Sequence, residues 1–163
     1  MSGDLVTATD AQIFIGPVVK ADTDTAQEFS ALTYVEIDMV EDLGEFGDED
    51  NIVTGTTLKD GRVRKAKGAA DAGTLALVCF HDPLDAGQAA LIAVAKTKKN
   101  YAFKIVLPDA PDNTYSSTTI YFRALVSSRR LRVGTNDNLI RRNYSLAINS
   151  ALAEALAALI PTT

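Results

Sequence analysis

Alternation of apolar and polar residues dominates this chain. Over residues 32–40, Thr33, Val35, Ile37 and Met39 point one way while Tyr34, Glu36 and Asp38 point the other, the period of a strand with one buried face. Residues 101–107 repeat the pattern, with Tyr101, Phe103, Ile105 and Leu107 against Ala102, Lys104 and Val106. Residues 74–80 place Leu75, Leu77 and Cys79 on one face. Two longer runs, 118–133 and 139–149, flank the turn residues 134–138 and predict a hairpin. Phe122, Ala124 and Val126 face the core in its first strand; Ile140, Tyr144, Leu146 and Ile148 share a face in its second, with Arg142 among them. Residues 13–19 are apolar but hold Gly16 and Pro17, which predicts a kinked or edge strand. Residues 62–67 read as a basic strand and 71–73 as a turn.

One internal helix is predicted after residue 81. Asp82 caps it, Pro83 suits its first position, and Leu84, Leu91, Ile92 and Ala95 form its apolar stripe. Lys96, Lys98 and Lys99 complement the dipole at its end. Residues 42–61 are rich in glycine and acid and predict a long loop or a loose hairpin. Residues 150–160, SALAEALAALI, read either as a helix or as an extended arm that docks on a neighbour. The expectation is a single domain over 1–163, mainly β with one packed helix, built as a β-sandwich or barrel. It carries an N-terminal arm at 1–12, a long acidic loop at 41–61 and a C-terminal arm or short helix at 150–163.

Charge adds a polarity that the pattern lacks. Residues 1–60 hold 14 of the 21 acids and two bases, a local net charge of −12; the remainder holds seven acids and 14 bases, a net +7. The halves either neutralise each other across one fold or meet across subunits. At 163 residues the chain buries a core without covalent help, and its one cysteine, Cys79, allows no intrachain disulfide. No apolar run approaches the roughly 20 residues that cross a bilayer, and the polar, acidic start MSGDLVTATD predicts no signal peptide.

Groups for catalysis are scarce. One histidine, His81, stands beside Asp82 and near Cys79, but a triad also needs a positioned nucleophile. One His and one Cys cannot hold a structural zinc in a monomer. The acids of EDLGEFGDED, 41–50, lack the spacing of a calcium loop. GRVRKAKG at 61–68 has no phosphate-cradling pattern. Together with Arg129, Arg130, Arg132, Arg141 and Arg142 it offers a basic patch, without interleaved aromatics and in an acidic chain. The residues therefore predict no enzyme, no cofactor and no metal. A monomeric β-sandwich binding or adhesin-like module is the alternative, though no Trp and five Tyr equip it poorly.

Three features in fixed order resemble the tail tube proteins of long-tailed bacteriophages and gene transfer agents. The first is a strand running into the acidic, glycine-bearing LGEFG at 43–47. The second is a strand–turn–strand over 62–80 feeding a D-P-x-x-x-G-Q helix start at 82–88. The third is the closing hairpin YFRALVSSRRLRVGTNDNLIRRNYSLAINS at 121–150. The resemblance implies hexameric rings whose inner sheets join into one barrel. Rings stack around a tape measure protein, meet a tail terminator and tail-tip or baseplate proteins, and pass double-stranded DNA. It also implies a long loop that reaches a neighbouring subunit or ring, terminal segments that join rings, and a place in the particle's tail after assembly in the bacterial cytoplasm.

A conduit for DNA should present acid or neutral groups, since a basic wall holds the polyanion by counterion release. Glu36 and Asp38 are the lumen candidates, with exposure on the outside or in a seam as the competing placement. Glu41, Asp42, Glu45, Asp48, Glu49 and Asp50 are expected to meet Arg62, Arg64, Lys65, Arg129, Arg130 and Arg132 across subunits or rings.

Overall fold

The computed structural model describes residues 5–22 and 25–161. Its first half runs β1 (Gln12–Val18), α1 (Ala26–Ser30), β2 (Val35–Ile37), β3 (Val40–Asp42), β4 (Glu49–Thr56) and β5 (Val63–Asp71). Its second half runs β6 (Thr74–Phe80), α2 (Ala86–Val94), β7 (Tyr101–Val106), β8 (Thr119–Arg132), β9 (Arg141–Ile148) and β10 (Ala153–Ala155).

Eight strands form one antiparallel sheet in the order β2-β1-β7-β8-β9-β6-β3, with β10 also on β8. β2 and β3 end that path, yet only Asp38 and Met39 separate them in sequence. The sheet must therefore curl until its two ends adjoin, which makes it a barrel. Inside lie Ile13, Ile15, Ile37, Leu75, Leu77, Phe103, Phe122, Tyr144 and Leu146, closed by Leu91 of α2. Phe103 and Phe122 stack at 5.6 Å. A smaller cluster on the other face joins Phe29 of α1 to Ala102 and Tyr121.

The fold is mainly β, as the alternation predicts. The core residues named for 74–80 and for the hairpin are buried, except Ile140, which is exposed; in 101–107 Phe103 and Ile105 are buried while Tyr101 and Leu107 are half-buried, and Ala102, Tyr121 and Arg123 on the opposite face are buried as well. Around Gly16 and Pro17, β1 shifts register between Ile15 and Val18; a β-carbon at Gly16 would meet the Tyr34 ring at 2.8 Å.

Two expectations need correction and two open alternatives are decided. The strand at 32–40 is broken: β2 ends at Ile37, Met39 takes a φ of 59°, and β3 crosses to the opposite sheet edge. Val35 and Met39 are consequently 42 % and 47 % exposed. The internal helix starts three residues later than Pro83 suggests. Asp85 is its N-cap and accepts from Gln88 N, while Asp82 accepts from Leu84 N in the preceding turn and Leu84 is exposed. Of the two readings of 41–61, the hairpin holds: after a loop around 43–48, β4 occupies 49–56, turns through 57–62 and pairs with β5 along its length. Residues 150–160 take the extended-arm alternative and form no helix, but the arm docks on its own chain. Helix propensity yields to pairing of β10 with Thr119–Tyr121 and to a bridge between Tyr115 and Leu159. A second helix, α1, also appears, capped by Thr25.

Candidate assembly surface

A rigid corner sets the geometry. Gln88 is 2 % exposed and its side-chain nitrogen donates to the carbonyls of Asp38 and Phe80, while its side-chain oxygen accepts from Asp82 N. It ties the β2–β3 bend, the end of β6 and the approach to α2 together. Asp85 completes the corner by accepting from Asp38 N. A β-carbon at Gly87 would lie 2.2 Å from Glu36 O, so α2 packs backbone to backbone on β2.

The 43–48 segment is anchored beside this corner. Asp42 accepts from Gly44 N, and Gly44 takes a φ of 67°. Phe46 packs on Phe122 at 5.9 Å, and Gly47 N donates to Ala72 O. These contacts leave Glu45, Asp48 and Glu49 around an open cleft with Ala72, Gly73 and Thr74.

From there β4 and β5 leave the barrel as a two-stranded hairpin. All but one of its strand residues are exposed. Ile52, Val53, Leu58 and Val63 are all at least 50 % exposed. At its tip Asp60 accepts from Thr57 Oγ1, from Arg64 at 2.6 Å and from Arg62 N. These bonds, Thr57 first, hold its carboxyl down to about 2.

The β8–β9 hairpin also outruns the barrel. β8 is buried as far as Val126; from Ser127 to Arg132 it is mostly exposed. Gly134 turns the chain at a φ of 72°. Leu131, Val133, Leu139 and Ile140 are exposed at this end, between Arg129, Arg130 and Arg132.

The charged candidates divide into engaged and free. Glu41 pairs with Arg141 at 2.6 Å, Asp50 with Lys67 at 3.0 Å, and Asp60 with Arg64 at 2.6 Å. Asp42 is spent on its own turn. Among the described residues, Glu45, Asp48, Glu49, Arg62, Lys65, Arg129, Arg130 and Arg132 make no ion pair. Glu36 is exposed and accepts from Gln12; through β1 and β7 its row continues to Phe14 and Lys104, whose ammonium sits 4.3 Å from the Phe14 ring. Asp38 belongs to the corner, accepting from Met39 N. The two lumen candidates thus lie on a strand and in a bend, not on one continuous strand face.

Sequence reasoning placed Arg141 in a basic patch and missed its pairing with Glu41 and its place over the Phe80 ring at 5.2 Å, and it missed Gln88 as a keystone. The motif D-P-x-x-x-G-Q held the signal for Gln88, because a helix-start glutamine among apolar neighbours has nowhere polar to go but inward. Nothing local foretells Arg141, whose partner is 100 residues away.

The chemistry around Cys79 does not assemble. Cys79 is fully buried, and burial, with Asp85 adding to it, pushes its thiol up to about 12. Nδ1 of His81 accepts from Arg142 Nε at 3.0 Å, so that nitrogen is committed to a cation. Among the described residues no group of three or more His, Cys, Asp or Glu is placed to hold a metal ion.

The sequence matches the family described as phage tail tube protein, TTP, over residues 18–154. No curated protein matches it. Among solved structures, the chain is similar to the SPP1 tail tube, at 14 % identity and a TM-score of 0.64, covering 97 % of this chain and 82 % of that one. It is similar to a chain of the anti-feeding prophage (AFP) baseplate, at 10 % identity and a TM-score of 0.71, covering 96 % and 98 %. It is also similar to the PVC sheath/tube terminator of an extracellular contractile injection system, at 12 % identity and a TM-score of 0.62, covering 95 % and 99 %. At these identities the likeness is one of fold.

Proposed function

The chain belongs to the phage tail tube protein family, a family of structural proteins and not of enzymes, and from that premise we propose that its copies form hexameric rings that stack into a conduit for double-stranded DNA. The observation that carries this reading is the β4–β5 hairpin, which leaves the barrel with Ile52, Val53, Leu58 and Val63 in water. A lone two-stranded hairpin is marginal at best in water and needs a third strand or a packed face. A neighbouring copy supplies that cover.

Charge favours the same arrangement. Glu45, Asp48 and Glu49 stand free near the hairpin's base, and Arg129, Arg130 and Arg132 stand free on β8. Across a subunit boundary they neutralise each other. Arg62 and Lys65 on the hairpin are the further basic candidates, while Glu41, Asp50 and Arg64 keep their intrachain partners. Glu36 and Asp38 face the lumen in this reading, where carboxylates repel the DNA backbone and let it slide. A cryo-EM map of the tube with both carboxylates on its outer wall would rule this placement out.

A tape measure protein, a terminator and baseplate or tail-tip proteins are the other partners, and the tail of a phage or gene transfer particle, assembled in the host cytoplasm, is the location. None of the helices among the described residues is long and apolar enough to cross a membrane. The deciding experiment is size-exclusion chromatography with negative-stain microscopy of concentrated protein. Stacked six-membered rings support the reading. A stable monomer at high concentration overturns it in favour of the binding module.

A further inference from the structure

One side of β8 is shared by two strands. β9 pairs with it from Arg132 back to Ala124, and β10 takes over at Tyr121–Thr119. Arg123 sits at the splice. Its amide donates to Ser150 Oγ, and its carbonyl accepts from Asn149 N. One nitrogen of its guanidinium donates to the carbonyls of Lys20 and Ala21, and another donates to that of Asn149. A side chain only 8 % exposed thus ties the root of the C-terminal arm to residues 20–21, which lie between β1 and α1.

The two elements meet again farther along β8. Phe29 of α1 stacks on Tyr121 at 5.8 Å. Tyr34 donates its hydroxyl hydrogen to Phe29 O at 2.8 Å and leans its ring on Tyr121. Ala153 of β10 packs against the same cluster of Phe29, Ala102 and Tyr121. Neither element is long enough to stand alone. α1 has five residues and β10 three, and an isolated helix shorter than roughly 12–15 residues is marginal in water. Phe29 is nonetheless fully buried.

We infer that α1 and the C-terminal arm form a single strap over this face of β8, opening and closing together, with Arg123 as its clasp. Departure of the arm strips Ala153 from the cluster around Phe29 and takes the Asn149 carbonyl from a buried guanidinium. Departure of α1 strips Phe29 from the same cluster. A buried cation that loses acceptors is destabilised more than a neutral donor, so loss of one attachment weakens the other. Short elements of this kind open locally, below the free energy of global unfolding. The coupling belongs to the single subunit, whether or not copies assemble. In the tube subunit proposed above, and resting on that reading, it makes α1 the regulator of when the arm is free to leave its own chain.

Hydrogen exchange read by mass spectrometry on the dispersed subunit tests the strap. Glu154→Pro breaks the middle of β10, because proline cannot donate to the ladder, and it changes no residue of α1. Expected is exchange about tenfold faster at residues 26–34 as well as in the arm, inside the roughly 5–150-fold span of coupled sites. The barrel strands at 74–80 and 143–148 should keep their rates. Phe29→Ala should loosen residues 153–160 by the same factor, since linkage is reciprocal. Arg123→Met keeps an apolar stem, drops the donors and should loosen both segments. Unchanged protection of 26–34 in Glu154→Pro overturns the strap. Equal acceleration of the barrel strands also overturns it, because the arm would then belong to global unfolding. Loosening of one segment alone by Arg123→Met removes the clasp. None of these readings requires tubes, so failure of the strap and failure of the tube reading are told apart.

Discussion

Gly87 of α2 and Glu36 of β2 touch backbone to backbone, so that a β-carbon at position 87 would sit 2.2 Å from the Glu36 carbonyl oxygen and 2.6 Å from Ile37 Cα. Neither neighbour is a flexible side chain that can swing aside. Gly87→Ala should therefore push α2 off the β2–β3 bend, costing about 1–3 kcal/mol as overpacking does. Chemical denaturation of the dispersed subunit measures this directly; a change below ~0.5 kcal/mol would mean that the helix moves freely.

Gln88→Leu tests the keystone. The substitution keeps the approximate size but leaves the carbonyls of Asp38 and Phe80 and the amide of Asp82 without their partner. Unmet buried polar groups cost about 1–3 kcal/mol. The same variant should speed amide hydrogen exchange at the β3–β6 pairing before the rest of the barrel, since the corner holds that end of the sheet.

Arg130→Glu combined with Arg132→Glu should block tube formation while leaving the fold intact. Both residues are exposed and make no ion pair within the described chain, and substitutions at such surface sites usually lie within about ±0.5 kcal/mol. Sedimentation of polymer and thermal melting of monomer, measured side by side, separate the two effects. Assembly of the unmodified chain should weaken between low salt and 1 M, where the screening length falls to about 3 Å, but should not vanish, because the apolar contacts are not screened.

The tip of the β4–β5 hairpin should be acid-resistant to a defined limit. Asp60 titrates near 2 instead of the ordinary 3.8, chiefly through the Thr57 hydroxyl and then through Arg64. Its folded pKa is depressed, so its contribution to the turn is full above the ordinary value and disappears as pH falls through about 2. An NMR titration of the Asp60 carboxyl carbon reads this midpoint. Thr57→Val should raise it; a midpoint already at the ordinary value in the parent protein would contradict the bonded turn.

The sequence made the barrel's strands legible where period-2 burial leaves its trace, from Thr74 to Phe80 and from Asn143 to Ile148. It misled wherever a tertiary contact overrode that trace. The alternation of 32–40 continues unbroken through Met39, although the chain turns there and changes sheet edge. Asp82 and Pro83 look like a helix start, but the side chain of Asp85 is the one that accepts from Gln88 N. The SALAEALAALI segment has strong helix formers, yet β8 needed a partner beside Thr119–Tyr121 and took Ala153–Ala155 as a strand. The charged candidates were readable as types and not as pairs. That Glu41 is engaged by Arg141, and that Arg129 lies opposite Tyr144 and makes no ion pair among the described residues, depends on register set by residues far apart in the chain.

The seam at Asp38 and Met39 also has a consequence for timing. The strands it joins lie at opposite ends of a path that includes β9, so the barrel cannot close until the ribosome has released Ile148. Until then β8 has no complete partner and its arginine-bearing edge has no fixed shape. A nascent subunit therefore presents no formed edge to its sisters before β9 has emerged.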